Sequence, residues 1–222
     1  MKGKILLMCV LMGSVFTACL SDDLEPTEKQ YTKLCIQTEQ GDGYLFTSDA
    51  GQKFYTSQLP PGYEFEHGGR VLISFTLLQE TAAGILYDYL IELKSISDVP
   101  VKSIIKINEE NKDTLGTAGV VFNDIRVSGR FLDVDFSFWG KDKTHLFNVS
   151  YDSQNQPEEE DQIRLVFHHK DYEDEKYAVY RGITSFNLET LGGQSLIPPY
   201  TIKFEGMDAY GHEFKYDVEV KE

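Results

Sequence analysis

Residues 87–94 read Tyr87-Asp88-Tyr89-Leu90-Ile91-Glu92-Leu93-Lys94. Tyr87, Tyr89, Ile91 and Leu93 alternate with Asp88, Leu90, Glu92 and Lys94, the period of two that marks a strand with one buried face. Residues 70–79 do the same less cleanly, setting Val71, Ile73, Phe75 and Leu77 against Leu72, Ser74 and Thr76. The spacing predicts two long neighbouring strands joined across Thr81-Ala82-Ala83-Gly84.

Outward from this pair, the pattern predicts strands at 32–39, 43–48, 52–57, 70–79, 84–94 and 102–107. Gly41-Asp42-Gly43, Asp49-Ala50-Gly51, Pro60-Pro61-Gly62 and Gly68-Gly69 punctuate them. Five or six short strands in roughly eighty residues suit a small barrel. Residues 108–118, Asn-Glu-Glu-Asn-Lys-Asp-Thr-Leu-Gly-Thr-Ala, interrupt the apolar pattern and read as a domain boundary. Beyond them the pattern predicts strands near 120–128, 130–138, 144–151, 162–169, 181–188, 199–205 and 212–220, which suit a sandwich. No segment keeps helical spacing long enough for a helix. The expectation is an all-β chain, an OB-like barrel at 31–110 followed by an antiparallel β-sandwich at 111–222.

Within the second half, Phe131, Val134, Phe136 and Phe138 alternate with one break, at Asp133, which predicts a bulge there. Trp139 beside Phe138 reads as a core anchor. The acidic stretches 156–161 and 171–175 read as hairpin tips whose charge keeps strand edges from pairing with other chains.

The N-terminus has a different grammar. Lys2 and Lys4 precede an apolar run from Ile5 to Phe16 and the small residues Thr17 and Ala18, the plan of a signal peptide over 1–18. The run is shorter than the roughly 20 apolar residues that span a bilayer. Phe16-Thr17-Ala18-Cys19 resembles a lipobox, with Phe16 in place of the usual Leu. That resemblance makes Cys19 an acylated, palmitate-bearing N-terminus. Residues 19–30 then form an acidic tether. Ser21, Asp22 and Asp23 resemble the signal that sends lipoproteins of the Bacteroides group to the outer face of the outer membrane.

The formal charge of the 222-residue chain is −15, which argues against binding a phosphate backbone. Of the three cysteines, Cys9 leaves with the signal and Cys19 is acylated. Cys35, in Leu34-Cys35-Ile36, therefore has no disulfide partner and reads as a small buried hydrophobe.

From Tyr31 onward the chain resembles the NigD-like lipoproteins of Bacteroides and Prevotella. In the first half the likeness rests on Gly69-Arg70-Val71-Leu72-Ile73-Ser74-Phe75 and Tyr87-Asp88-Tyr89. In the second it rests on Asp113-Thr114-Leu115-Gly116, Asn123-Asp124-Ile125, Phe131-Leu132-Asp133-Val134-Asp135-Phe136 and Leu165-Val166-Phe167-His168-His169. It implies an OB-type barrel followed by a β-sandwich, and an immunity or accessory role without associated catalytic residues. Phe131-Leu132-Asp133-Val134 departs from the tyrosine- and asparagine-rich strand the likeness leads one to expect.

Few residues stand out as chemistry. His168 and His169 are adjacent on a strand, so they point to opposite faces and cannot easily share one ion, although either has Asp171 and Glu173 nearby. No nucleophile elbow, His-Glu-x-x-His pair or phosphate loop is present, and no cofactor or metal is expected. Tyr55 and Tyr63 are the candidate contact residues of the barrel. Asp113-Thr114-Leu115 resembles a bacterial O-glycosylation signal on Thr114. The sequence thus points to a non-enzymatic, outer-membrane, surface-facing lipoprotein that binds a protein or glycan. The alternatives are a metal-dependent hydrolase built on His168 or His169 with nearby carboxylates, and a structural envelope protein without a specific ligand.

Overall fold

A computed structural model describes residues 29–81, 86–191 and 197–221. Cys19, Ser21, Asp22 and Asp23 lie outside the described residues.

The strands are β1 (Gln30–Gln40), β2 (Gly43–Ser48), β3 (Lys53–Thr56), β4 (Arg70–Glu80), β5 (Tyr89–Asp98), β6 (Val101–Ser103), β7 (Ile105–Lys106), β8 (Val121–Ser128), β9 (Phe131–Gly140), β10 (Leu146–Tyr151), β11 (Gln162–Lys170), β12 (Ala178–Asn187), β13 (Tyr200–Met207) and β14 (Glu213–Val220). The described residues are all-β apart from a 3-10 turn at Leu188–Leu191.

The first five strands close a barrel in the order β1-β2-β3-β5-β4, with β3 and β5 parallel and their other neighbours antiparallel, the OB-like plan expected. Its core is Cys35, Phe46, Phe54, Val71, Ile73, Phe75 and Ile91. The two long strands read from sequence are indeed the neighbours β4 and β5. β5, however, starts later than expected and runs on to Asp98. A bulge explains the extension: Phe75 pairs with Leu93 but Ser74 with Ser95, so Lys94 is extra and Ile96 comes to face Ile73. The period of two is reset by one residue, and a fixed-period reading stops there.

The remaining strands form two sheets, β14-β13-β11-β10-β7 and β6-β12-β9-β8. Neighbours are antiparallel except β7 with β10, β11 with β13 and β6 with β12. Leu132, Val134, Phe136, Val149, Ile163, Leu165, Phe186, Ile202 and Phe204 pack between them at 1 % exposure or less. Full burial of each such side chain is worth roughly 1.5–3 kcal/mol. The strand expected at 102–107 as the barrel's last is instead two short pieces, β6 and β7, one in each sandwich sheet. The turn-rich stretch 108–118 therefore lies after the first strands of the sandwich.

No bulge occurs at Asp133. β9 pairs with β12 in unbroken register from Phe131 opposite Asn187 to Gly140 opposite Ala178, and the irregularity is in β8, between Phe122 and Asp124. Asp133 interrupts the apolar pattern because β9 is buried on both faces. Leu132, Val134 and Phe136 face the sandwich core, while Phe131, Asp133 and Asp135 face the barrel.

One side chain ties the two units. Arg70 of β4 donates from Nη1 and Nη2 to Asp49 at 2.8 and 2.9 Å, from Nη2 to Asp133 at 2.7 Å and from Nε to Ser185 at 2.7 Å. Its guanidinium also lies 4.3 Å from the centre of the Phe131 ring. The linker is pinned at both ends: Val99 donates its N–H to the Arg70 carbonyl, and Ser185 donates to the Pro100 carbonyl.

Candidate functional site

Where the barrel meets the outer face of β8, β9 and β12, a half-open cleft of about 870 Å³ remains. The barrel contributes Thr32, Lys33, Leu34, Leu72, Ser97 and Asp98; the sandwich contributes Arg126, Asp135, Arg181, Gly182, Ile183 and Thr184. Ligand sites favour such junctions, where an apolar floor carries a few fixed polar groups. Gly182 is opposite Phe136 on the inner face of β12, where a Cβ would press on the Phe136 ring.

Four of the cleft's charged or polar anchors have defined partners. Arg181 grips Asp135 with two donors, Nε to Oδ1 at 2.9 Å and Nη2 to Oδ2 at 2.5 Å, and Asn123 adds a third hydrogen bond at 3.0 Å. Burial alone would raise the Asp135 carboxyl, but these donors hold it below the usual carboxylate range. Arg126 pairs with Asp124, and Asp98 accepts the Tyr63 hydroxyl at 2.6 Å.

The two tyrosines expected to make contacts do not form one patch. Tyr55 lies on β3 beside Leu90, near the start of β5, and its ring stacks on Tyr87 at 4.8 Å. Tyr63 lies by Asp98, the last residue of β5, and packs against the barrel core. Its hydroxyl also bonds Gln37, which is completely buried. Burial and then the Asp98 bond push the Tyr63 phenol up to about 12. Thr114 is exposed, and its hydroxyl donates to the Asn111 carbonyl at 2.9 Å.

His168 and His169 do take opposite faces. His168 Nε2 is 2.8 Å from Ser150 Oγ, and its Nδ1 is 3.3 Å from the Gly116 carbonyl. This Ser–His contact has the form of an activated nucleophile, yet Ser150 is only 2 % exposed. His169 is buried, with Nε2 2.8 Å from His145 Nδ1, while His145 Nε2 is 3.2 Å from Asp174. Asp174 also accepts the Lys141 N–H at 2.6 Å and lies well below the usual carboxylate range, chiefly through that bond. The chain of rings fastens the 141–145 and 171–175 loops together. Among the described residues no group of three or more His, Cys, Asp or Glu is arranged to hold a metal ion.

Trp139, read as a core anchor, is 45 % exposed. It lies beyond the part of β9 that the barrel covers, opposite Val179. Arg70, Arg126, Arg181 and Gly182 were missed because an isolated charge or glycine in a strand reads as solvated or incidental. The visible signal was Asp133 and Asp135 alternating with Leu132, Val134 and Phe136, which marks a second face with polar partners.

The profile of the NigD-like C-terminal beta sandwich domain matches residues 103–220. Solved structures share the architecture across most of both chains. A protein of unknown function from Bacteroides vulgatus superposes with a TM-score of 0.74 at 21 % identity, covering 87 % of this chain and 92 % of that one. A NigD-like immunity protein from Bacteroides caccae gives 0.61 at 19 %, covering 86 % and 92 %. A candidate lipoprotein from Bacteroides fragilis gives 0.63 at 13 %, covering 87 % and 99 %. At these identities the likeness establishes the fold. No curated protein matches the chain.

Proposed function

The chain belongs to the NigD-like family, and from that premise we propose that it is an outward-facing, lipid-anchored accessory or immunity protein of the outer membrane, a binder of protein or glycan and not a catalyst. The observation that carries this reading is the cleft. Two β units are locked by Arg70 so that charged and apolar groups from both converge on one cavity, while Ser150 of the Ser–His contact is only 2 % exposed.

Cys19 supplies the anchor, and two or three acyl chains hold a protein stably in a leaflet at about 0.8 kcal/mol per buried CH₂. Ser21, Asp22 and Asp23 direct it outward, and Thr114, exposed on a turn, is available to a glycan. Tyr55, stacked on Tyr87, offers a second contact surface on the barrel face that OB folds use for ligands. The names of the Bacteroides caccae and Bacteroides fragilis relatives support the accessory and lipoprotein parts of this reading.

Protease treatment of intact cells tests the address, and Cys19→Ala tests the anchor. The wild-type protein is expected to be digested from outside, and the variant to be unacylated and soluble. Pull-down from intact cells with an Arg126→Glu, Arg181→Glu variant tests the binding; loss of a specific ligand is expected. Continued anchoring of Cys19→Ala, or hydrolytic turnover with no ligand captured, sinks the reading.

A further inference from the structure

We infer that the open edge of β12 is a docking site for an extended segment of a partner protein, which joins the sheet as an added strand. The inference rests on the binding-module reading above and assigns it a surface and a partner chemistry.

β12 lies between β9 and β6, but β6 covers only Ser185–Asn187. Before Val101 the chain veers toward the barrel, where Val99 bonds the Arg70 carbonyl. Ala178–Thr184 is therefore paired on one side alone, and the cleft opens along Arg181–Thr184. In an antiparallel strand both backbone groups of a residue point to the same side, alternating along the chain. Ser185 directs its N–H away from β9, to the Pro100 carbonyl. By that parity Val179, Arg181 and Ile183 present their N–H and C=O groups to the open edge. Among the described residues nothing pairs with them.

Edge strands are ordinarily blunted by charge. β14 follows that rule, placing Glu213, Lys215, Asp217 and Glu219 at every second position. The open half of β12 carries one charge, Arg181, whose guanidinium is held by Asp135, and is otherwise uncharged: Val179 and Tyr180 are 57 % and 44 % exposed, Tyr177 just before it 72 %, and Trp139 opposite Val179 45 %. Exposed aromatic and β-branched side chains beside unpaired backbone groups are the features of strand addition. The backbone bonds supply affinity and alternate side chains supply selection. The occupant must carry donors and acceptors that alternate at strand spacing, which an extended polypeptide does and a saccharide does not. Its apolar side chains would sit at alternate positions against Trp139 and Val179.

A phage-displayed library of random peptides, selected on the full mature chain, tests this. The expected winners alternate apolar residues and slow hydrogen exchange at the amides of Val179, Arg181 and Ile183. Val179→Pro removes one outward donor without touching the β9 ladder, since proline is tolerated on the open side of an edge strand. It should weaken the peptides roughly tenfold or more with little change in melting temperature. The exchange measurement on the unaltered protein stands even where a proline variant does not fold. No selected peptide, or protection at residues other than β12, overturns the inference. So does concentration-dependent dimerisation that protects the same three amides, which would make the occupant a second copy. Ligand capture by intact cells that depends on Tyr55 and leaves β12 unprotected would overturn the edge site while the binding-module reading survives.

Discussion

The Arg70 guanidinium of the barrel lies 2.7 Å from the Asp133 carboxylate of the sandwich, and the two side chains are 0 % and 2 % exposed. This pair, with Asp49 on its other flank, fixes how the two β units face each other and so fixes the cleft between them.

Arg70→Ala should destabilise the protein by about 3–5 kcal/mol, because it leaves Asp133 buried without its counter-charge. Arg70→Lys should recover little of this. An ammonium cannot reproduce the planar fork that serves Asp49, Asp133 and Ser185 together. Chemical denaturation measures both; a loss under about 1 kcal/mol for the alanine variant would show that Arg70 does not hold the interface.

Stability should fall as the solution is acidified. Burial lowers both His168 and His169 from the ordinary 6.5, the bonds to the Gly116 and Gly119 carbonyls opposing it. The unfolded chain therefore takes up protons near that pH while the native chain stays neutral. The stabilisation is fully present above the unfolded value and is lost as pH falls through the lower folded values. Melting temperatures from about pH 7.5 down to about pH 5 should trace that loss, with a shallower slope in His168→Asn. Equal slopes in both proteins would refute the assignment.

Cys35 should be inert while the protein is folded. Burial, and then the Asp49 charge, push its thiol up to about 12, and the thiolate is the reactive form. A thiol reagent at neutral pH should label Cys35 only as fast as the barrel opens. Rapid labelling without unfolding is the contrary result.

Gly119→Ala should cost about 1–3 kcal/mol or more, since overpacking against backbone cannot be relieved by a rotamer change. A Cβ at this position falls on the Asp208 carbonyl, where Val120 bridges to Asp208 and bonds the Met207 carbonyl. Gly211 is a control of a different kind: its surroundings are open and only its φ of +84° resists a side chain. A melting temperature for Gly119→Ala no lower than that of Gly211→Ala would contradict this account.

The strands were legible wherever one face met a core and the other met water. Residues 43–48 were read with their observed limits because Tyr44 and Phe46 turn inward between Gly41 and Asp49. Legibility ended where that condition ended. Lys94 is an inserted residue that shifts the period by one, and Asp133 is buried in a strand covered on both sides. The site was less visible still. Arg70 and Arg181 bind carboxylates 63 and 46 residues away in sequence, and local spacing cannot report such partners.

The sequence by itself determined an all-β chain of two units and most strand limits, because alternation against a core is a local property; thirteen strands are expected and fourteen are described, since 102–107 divides into β6 and β7. It also carried the stretch that resembles a lipobox and the segments of the family likeness, each written in contiguous residues. Only the tertiary structure decided that β6 and β7 join the sandwich, that Trp139 is exposed, and that Arg70 clamps Asp133 and Asp49 across the interface. The open edge of β12 was decided there too, because pairing and burial depend on what the distant chain brings alongside.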